Sequence, residues 1–137
     1  MNQGRYWFRF FDFSREIMDT SSAPFSNLSI QGFRRLRDVT LPLRPLSVMI
    51  GANGTGKTSV LDVLSLLASS ADGKLAASLS ELSGLGSVIT QGDTELRFRI
   101  SMNVVGHSPH DYELCLRPNG LSHEIRAESL TCIAPVG

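Results

Sequence analysis

Gly51-Ala52-Asn53-Gly54-Thr55-Gly56-Lys57-Thr58 fits the spacing G-x-x-x-x-G-K-[ST] without a mismatch. Gly51, Gly54 and Gly56 permit backbone angles that a side chain forbids. They also leave room for an anion to approach the main chain, so that successive N–H groups turn inward as a nest. The chemistry of such a segment is polyphosphate binding. Lys57 brings a full positive charge to the β- and γ-phosphates. The Thr58 hydroxyl is placed to hold Mg²⁺. Dinucleotide binding is the poorer match, because Ser59 stands where G-x-G-x-x-G requires its third glycine. The expected ligands are therefore ATP and Mg²⁺. The expected contacts are Gly51, Ala52, Asn53, Gly54, Thr55, Gly56, Lys57, Thr58 and Ser59, with Thr58 on the metal.

Such a cradle needs a strand entering it and a helix leaving it. Leu46-Ser47-Val48-Met49-Ile50 is a nearly continuous apolar run, the pattern of a central parallel strand covered on both faces. Lys57 to Ala71 reads as a helix. Its apolar face comprises Val60, Leu61, Val63, Leu64, Leu67, Ala68 and Ala71, with Asp62, Ser65 and Ser69 opposite. Asp72-Gly73 is a stop signal. The alternations Leu28, Ile30 and Val39, Leu41, Leu43 flank Gly32-Phe33-Arg34-Arg35 and predict two short strands joined by a turn. Beyond the helix, Leu75 to Leu82 reads as a short helix and Ser83 to Ser87 as loop.

Leu96, Phe98, Ile100, Met102 and Val104 then alternate with Glu95, Arg97, Arg99, Ser101 and Asn103, the signature of a half-exposed antiparallel strand. Tyr112, Leu114 and Leu116 continue the pattern. Arg117-Pro118-Asn119-Gly120 predicts a turn, and His123 to Leu130 a third strand of a meander. The expected fold is α/β, the N-terminal lobe of a P-loop NTPase: a mixed sheet with a Walker A strand-loop-helix, followed by an antiparallel meander. Residues 26–137 form this incomplete lobe, and residues 1–25 an aromatic extension and linker.

The 137 residues suffice for one domain. With 42% hydrophobic residues a packed core is expected, not wholesale disorder. Thirteen basic and thirteen acidic residues cancel, so no global field draws in nucleic acid or an anionic membrane. Cys115 and Cys132 match no zinc spacing; two reduced thiols in or near the core and a cytoplasmic setting are expected. No apolar run approaches the roughly 20 residues that span a bilayer. Tyr6, Trp7, Phe8, Phe10, Phe11 and Phe13 crowd the start, but Arg5, Arg9 and Asp12 break any secretory signal. This segment reads either as a docking piece that hides its aromatics against a partner, or as an extension before a start at Met18. Asp19 to Pro24 reads as a linker.

Taken together, Leu28-Ser29-Ile30-Gln31-Gly32-Phe33-Arg34, Leu41-Pro42-Leu43 and the glycine-rich loop with its Asn53 resemble the N-terminus of RecF/SMC/OLD-like ATPases, the ABC-type heads among AAA-family ATPases. The likeness spans Phe25 to Leu130, and the loop is its specific part. It implies Mg-ATP sandwiched between two heads, hence a homodimer through ATP, with hydrolysis coupled to work on DNA or on partner proteins. It also implies that Arg34 approaches the phosphates; as residues alone, Arg34, Arg35 and Arg37 read as a solvated turn or as contacts to a nucleic-acid backbone. Gln91 sits in a Gln-Gly-Asp turn and reads as structural.

The departures from the family are specific. No apolar run after Lys57 ends in Asp-Glu: Asp62 and Asp72 belong to the helix and its end, Asp93 and Asp111 to turns. The signature loop is also missing. The chain is therefore expected to bind nucleotide without turnover. It would be a fragment, or be completed by another polypeptide, and its unpaired parallel edges would favour self-association. The rival readings are a non-catalytic partner-docking module, separable by gel filtration with and without ATP, and a transporter ATPase subunit, which the Gly-Phe-Arg turn disfavours.

Overall fold

The structure, a computed structural model, describes residues 24–103 and 106–134, together with the backbone of 9–11. The expectations for Tyr6 to Phe8, for Phe13 to Ala23, for Val104 and for Pro135 to Gly137 lie outside the described residues. The fold is mixed α/β, with an antiparallel sheet of five strands carrying helices on one face. Its strands are β2 (Phe25–Phe33), β3 (Leu36–Pro42), β5 (Leu96–Met102), β6 (His110–Asn119) and β7 (Ser122–Cys132), in the order β3-β2-β5-β6-β7. A second sheet pairs β1 (Arg9–Phe11) with β4 (Val48–Ile50).

Period-two alternation explains the large sheet. In β2 and β5, Leu28, Ile30, Leu96, Phe98 and Ile100 are buried, while Ser29, Arg97 and Arg99 face the other way. The registers Ile30↔Phe98 and Phe98↔Leu114 carry one apolar stripe across three strands. Phe33 and Phe98 meet edge to face, with centroids 6.0 Å apart. Against this stripe pack α1 (Lys57–Ala71), α2 (Leu75–Glu81) and α3 (Leu85–Val88), through Val60, Val63, Leu66, Leu75, Leu79, Leu85 and Val88.

Helix α1 has the predicted bounds. Its end is a Schellman motif: Lys74 N–H donates to the Ser69 carbonyl at 2.7 Å and Gly73 N–H to Ser70 at 3.0 Å, with Gly73 at φ 71°. Its rotation differs from the expectation. Leu66 is buried, whereas Leu61, Ala68 and Ala71 are exposed. A helix apolar around most of its girth leaves the choice of buried stripe to whatever it meets, here the β2–β5–β6 surface.

Further expectations are corrected. The apolar run before the loop is not a central parallel strand: β4 is three residues long, pairs antiparallel with β1, and leaves Val48 and Ile50 exposed. Every strand pairing among the described residues is antiparallel, so the sheet is not mixed. The crossover that leaves β4 through α1 to α3 returns as β5, which joins β2 rather than β4. Ser83 to Ser87 is not all loop, because Leu85 and Val88, three apart and both buried, wind the turn of α3. The β6–β7 turn centres on Gly120-Leu121, with Asn119 paired to Ser122. Gly120 has φ 61°, as a first central hairpin position with positive φ requires. Both cysteines are free, but only Cys115 is in the core; Cys132 is exposed.

Candidate functional site

The glycine-rich segment leaves β4 and turns through Asn53 and Gly54 into α1. Gly54 and Gly56 take φ 80° and 105°, the left-handed region that costs an ordinary residue about 1–2 kcal/mol. Within the turn, the Thr55 hydroxyl donates to the Ala52 carbonyl at 2.8 Å. Gly56 occupies the N-cap of α1, where no side chain caps the helix and no acidic residue stands in the first turn. The first helical bond is Val60 N–H to Gly56 O at 3.1 Å. The amides of Lys57, Thr58 and Ser59 therefore precede the hydrogen-bond ladder, at the positive end of the helix dipole.

A cavity of about 350 Å³ opens there, lined by Asn53, Gly54, Gly56, Lys57, Thr58 and Ser59 of the loop and helix, and by Arg34 and Arg35 across from them. Thr58 is exposed and Ser59 buried. Lys57 folds its ammonium over the turn, donating to the carbonyls of Gly51 at 2.5 Å and Ala52 at 2.8 Å. Of the predicted contacts, Asn53, Gly54, Gly56, Lys57, Thr58 and Ser59 meet on this cavity; Gly51, Ala52 and Thr55 do not line it and take part in hydrogen bonds within the turn. Three cations, a glycine turn without side-chain bulk and a run of helix-start amides suit a polyphosphate. A larger cavity, about 550 Å³ between α1 and the sheet, is apolar and touches none of these cations.

The arginines come from the β2–β3 turn, and the backbone holds that turn in place. Thr90 N–H donates to Gly32 O at 2.8 Å, Arg34 N–H to Val88 O at 2.5 Å, and the buried Thr90 hydroxyl to Arg34 O at 2.8 Å. Arg34 itself sits at φ 50° with its guanidinium 5.3 Å from the Phe33 ring centroid. From this bracket the three arginines diverge. Arg34 pairs with Asp62 at 2.5 Å, Arg35 donates to Gly54 O at 3.0 Å, and Arg37 donates to Gln91 O at 3.2 Å. Arg34 and Arg35 line the one cavity while Arg37 lies apart from it, and Gln91 takes part through its backbone in a turn, as its sequence context predicts.

Thr90 is the site neighbour that local pattern did not single out; the sequence reads Arg35 and Asp62 in other roles, as a turn or nucleic-acid contact and as part of the polar face of the helix. For Asp62 the available signal is its place one helical turn beyond Thr58, on the same face. For Thr90 no local signal exists, and for Arg35 none names its acceptor, since these contacts join segments 56 and 19 residues apart.

Fold and cavity together describe an α/β module in which a glycine-rich turn, the start of a helix and a lysine line one hollow. The chain matches the model of the AAA ATPase domain over residues 25–124, and it belongs to that family. It is similar to the OLD nuclease of Thermus scotoductus, 45% identical over 40 residues, which are 29% of this chain and 8% of that protein. It is also similar to the DNA replication and repair protein RecF of Pseudomonas savastanoi pv. phaseolicola, 49% identical over 43 residues, 31% of this chain and 12% of RecF. RecF of Pseudomonas syringae pv. tomato matches to the same extent. The alignments thus span about a tenth of the length of these relatives.

Proposed function

We propose that this chain binds ATP with Mg²⁺ through a Walker A P-loop at residues 51–58, as the N-terminal lobe, residues 26–137, of an ATPase whose hydrolysis drives work on DNA or on a partner protein. The observation that carries the reading is the hollow at the start of α1, lined by Asn53, Gly54, Gly56, Lys57, Thr58 and Ser59 together with Arg34 and Arg35. The Gly56, Lys57, Thr58 and Ser59 amides would hold the phosphates, Lys57 and Arg34 would neutralise them, and Thr58 would hold the metal. Bound Mg²⁺ would screen charge on the β- and γ-phosphates. The DNA-related part of the proposal rests on membership of the AAA ATPase domain family and on the similarity to RecF and OLD nuclease.

Among the described residues, no acidic side chain lines the cavity. The carboxylate that orients an attacking water in such enzymes would come from elsewhere, so binding without appreciable turnover is the activity proposed for these 137 residues. Isothermal titration with Mg-ATP tests the reading. Lys57→Ala should weaken binding by about 100-fold or more, the worth of a charge-assisted phosphate contact in a preorganised loop. Undiminished affinity in that variant, with its fold intact by circular dichroism, would refute it.

A further inference from the structure

Resting on the phosphate-binding reading above, we infer that Asp62 is a positioning residue: it anchors one nitrogen of the Arg34 guanidinium so that the remaining donors are presented to the polyphosphate. The contact is single. Arg34 Nη1 meets Asp62 Oδ2 at 2.5 Å, with side chains 33% and 25% exposed, so the pair is part-buried rather than in open solvent, and Asp62 stands behind Arg34 without lining the cavity itself. A guanidinium carries five N–H donors in a planar fork. A one-point contact leaves Nε and Nη2, which take no protein acceptor among the described residues. Arg34 lines the cavity beside Lys57, Thr58 and Ser59.

The main chain of Arg34 has no freedom to aim the side chain by itself. Its N–H is tied to Val88 O and its carbonyl to the Thr90 hydroxyl, and its φ of 50° lies in a region that only a surrounding frame maintains. What can vary is the side-chain rotamer, and the Asp62 carboxylate selects it. Asp62 is itself held on a rigid element, one helical turn past Thr58 and on the same face of α1. The aim of Arg34 is thereby referenced to the helix whose first turn would hold the phosphates. A surface ion pair would have no such relation to the cavity. A bidentate pair would have consumed the fork.

The alternative role for a carboxylate at this place is competition, in which Asp62 draws Arg34 away from the ligand. The two roles predict opposite signs. The test is calorimetric titration of the 137-residue chain with Mg-ATP and with inorganic triphosphate, in the wild type, Asp62→Ala, Asp62→Asn, Asp62→Glu, Arg34→Ala and the Asp62→Ala/Arg34→Ala double variant.

Positioning predicts that Asp62→Ala weakens both ligands by about tenfold and that Arg34→Ala weakens them at least as much. The double variant should be no weaker than Arg34→Ala, because Asp62 acts only through that arginine. Asp62→Glu should restore part of the loss, which a role in stability alone does not predict. Should Asp62→Ala fail to fold, Asp62→Asn keeps the shape and removes the charge, and it should show a smaller loss in the same direction. Tighter binding in Asp62→Ala or Asp62→Asn, unchanged binding, or additive losses in the double variant would overturn the inference while leaving the P-loop reading intact. A wild type that binds neither ligand overturns both.

Discussion

Gly32 is the residue on which the site's geometry turns. A Cβ at this position would stand 2.5 Å from the Glu95 carbonyl oxygen, and its φ is 78°. Both facts exclude a side chain, and the clashing atom belongs to the backbone rather than to a flexible side-chain tip that could move aside. The position matters because Gly32 O receives Thr90 N–H, the first clamp of the bracket that carries Arg34 and Arg35. Gly32→Ala is therefore expected to destabilise the protein by about 3 kcal/mol, the combined size of an overpacking clash and a disfavoured backbone conformation. Gly86 provides the contrast: nothing lies within 4 Å of its Cβ direction and its φ is ordinary. Gly86→Ala should be neutral or stabilise by up to about 1 kcal/mol. Urea unfolding of the two variants checks the pair; equal effects would show that the Glu95 contact is not what demands glycine at 32.

At the scale of the element, helices α1 and α2 end in the same way with different residues. Both close with a Schellman motif. In α1 the left-handed position is Gly73; in α2 it is Ser83, at φ 66°, with Gly84 N–H donating to Leu79 O at 2.8 Å and Ser83 N–H to Ser80 O at 3.0 Å. Ser83 is exposed, so its side chain recovers nothing by burial. Ser83→Gly should stabilise the protein by about 1 kcal/mol, the usual cost of a Cβ in the left-handed region, and raise the melting temperature by about 3–5 °C for a chain of this size. A scanning-calorimetry midpoint that stays or falls would show that the turn is held by other forces. The element matters for function because α2 leads into α3, whose Val88 carbonyl receives the Arg34 amide.

Across the whole molecule, the outer face of the large sheet is polar and internally neutralised. Glu113 on β6 accepts from Arg97 at 2.6 Å and from Arg99 at 2.5 Å, and Glu95 accepts from Arg97 at 3.1 Å. The Arg99 guanidinium, helped by Arg97 and opposed by partial burial, holds the Glu113 carboxyl below the usual carboxylate range. Arg97 does the same for Glu95. A carboxylate with a lower pKa in the folded chain than in the unfolded one adds stability above the ordinary carboxylate range. That stability disappears as pH falls through the folded value, because the unfolded chain takes up the proton first. Loss of stability on acidification should therefore be steeper in the wild type than in Glu113→Gln. At neutral pH and low salt the variant should be less stable by about 1 kcal/mol, a modest figure because Arg97 and Arg99 are 38% and 52% exposed and screened by solvent. Chemical denaturation across the acid range, at low and high salt, checks both the slope and the screening. The same pairing occupies two arginines that a sequence count would otherwise assign to anion binding.

Much of this protein was legible before any coordinates. The glycine-rich loop, the bounds of α1 at Lys57 and Ala71, its Asp72-Gly73 stop and the alternation along β5 follow from rules with short reach: a period of 3.6 or 2, a residue able to hold positive φ, a stop at a cap. What only the tertiary structure decided is partnership. It joined the β2–β3 hairpin to the meander through β2 and β5, paired β4 with β1 instead of with a parallel neighbour, and chose Val60, Val63 and Leu66 as the buried stripe of α1. It also brought Arg34 to Asp62 across 28 residues of chain. An alternating strand states which face is apolar but not which strand lies beside it, and an arginine on a turn states its charge but not its acceptor. Those choices are made by contacts between distant segments, whose energies no local window contains.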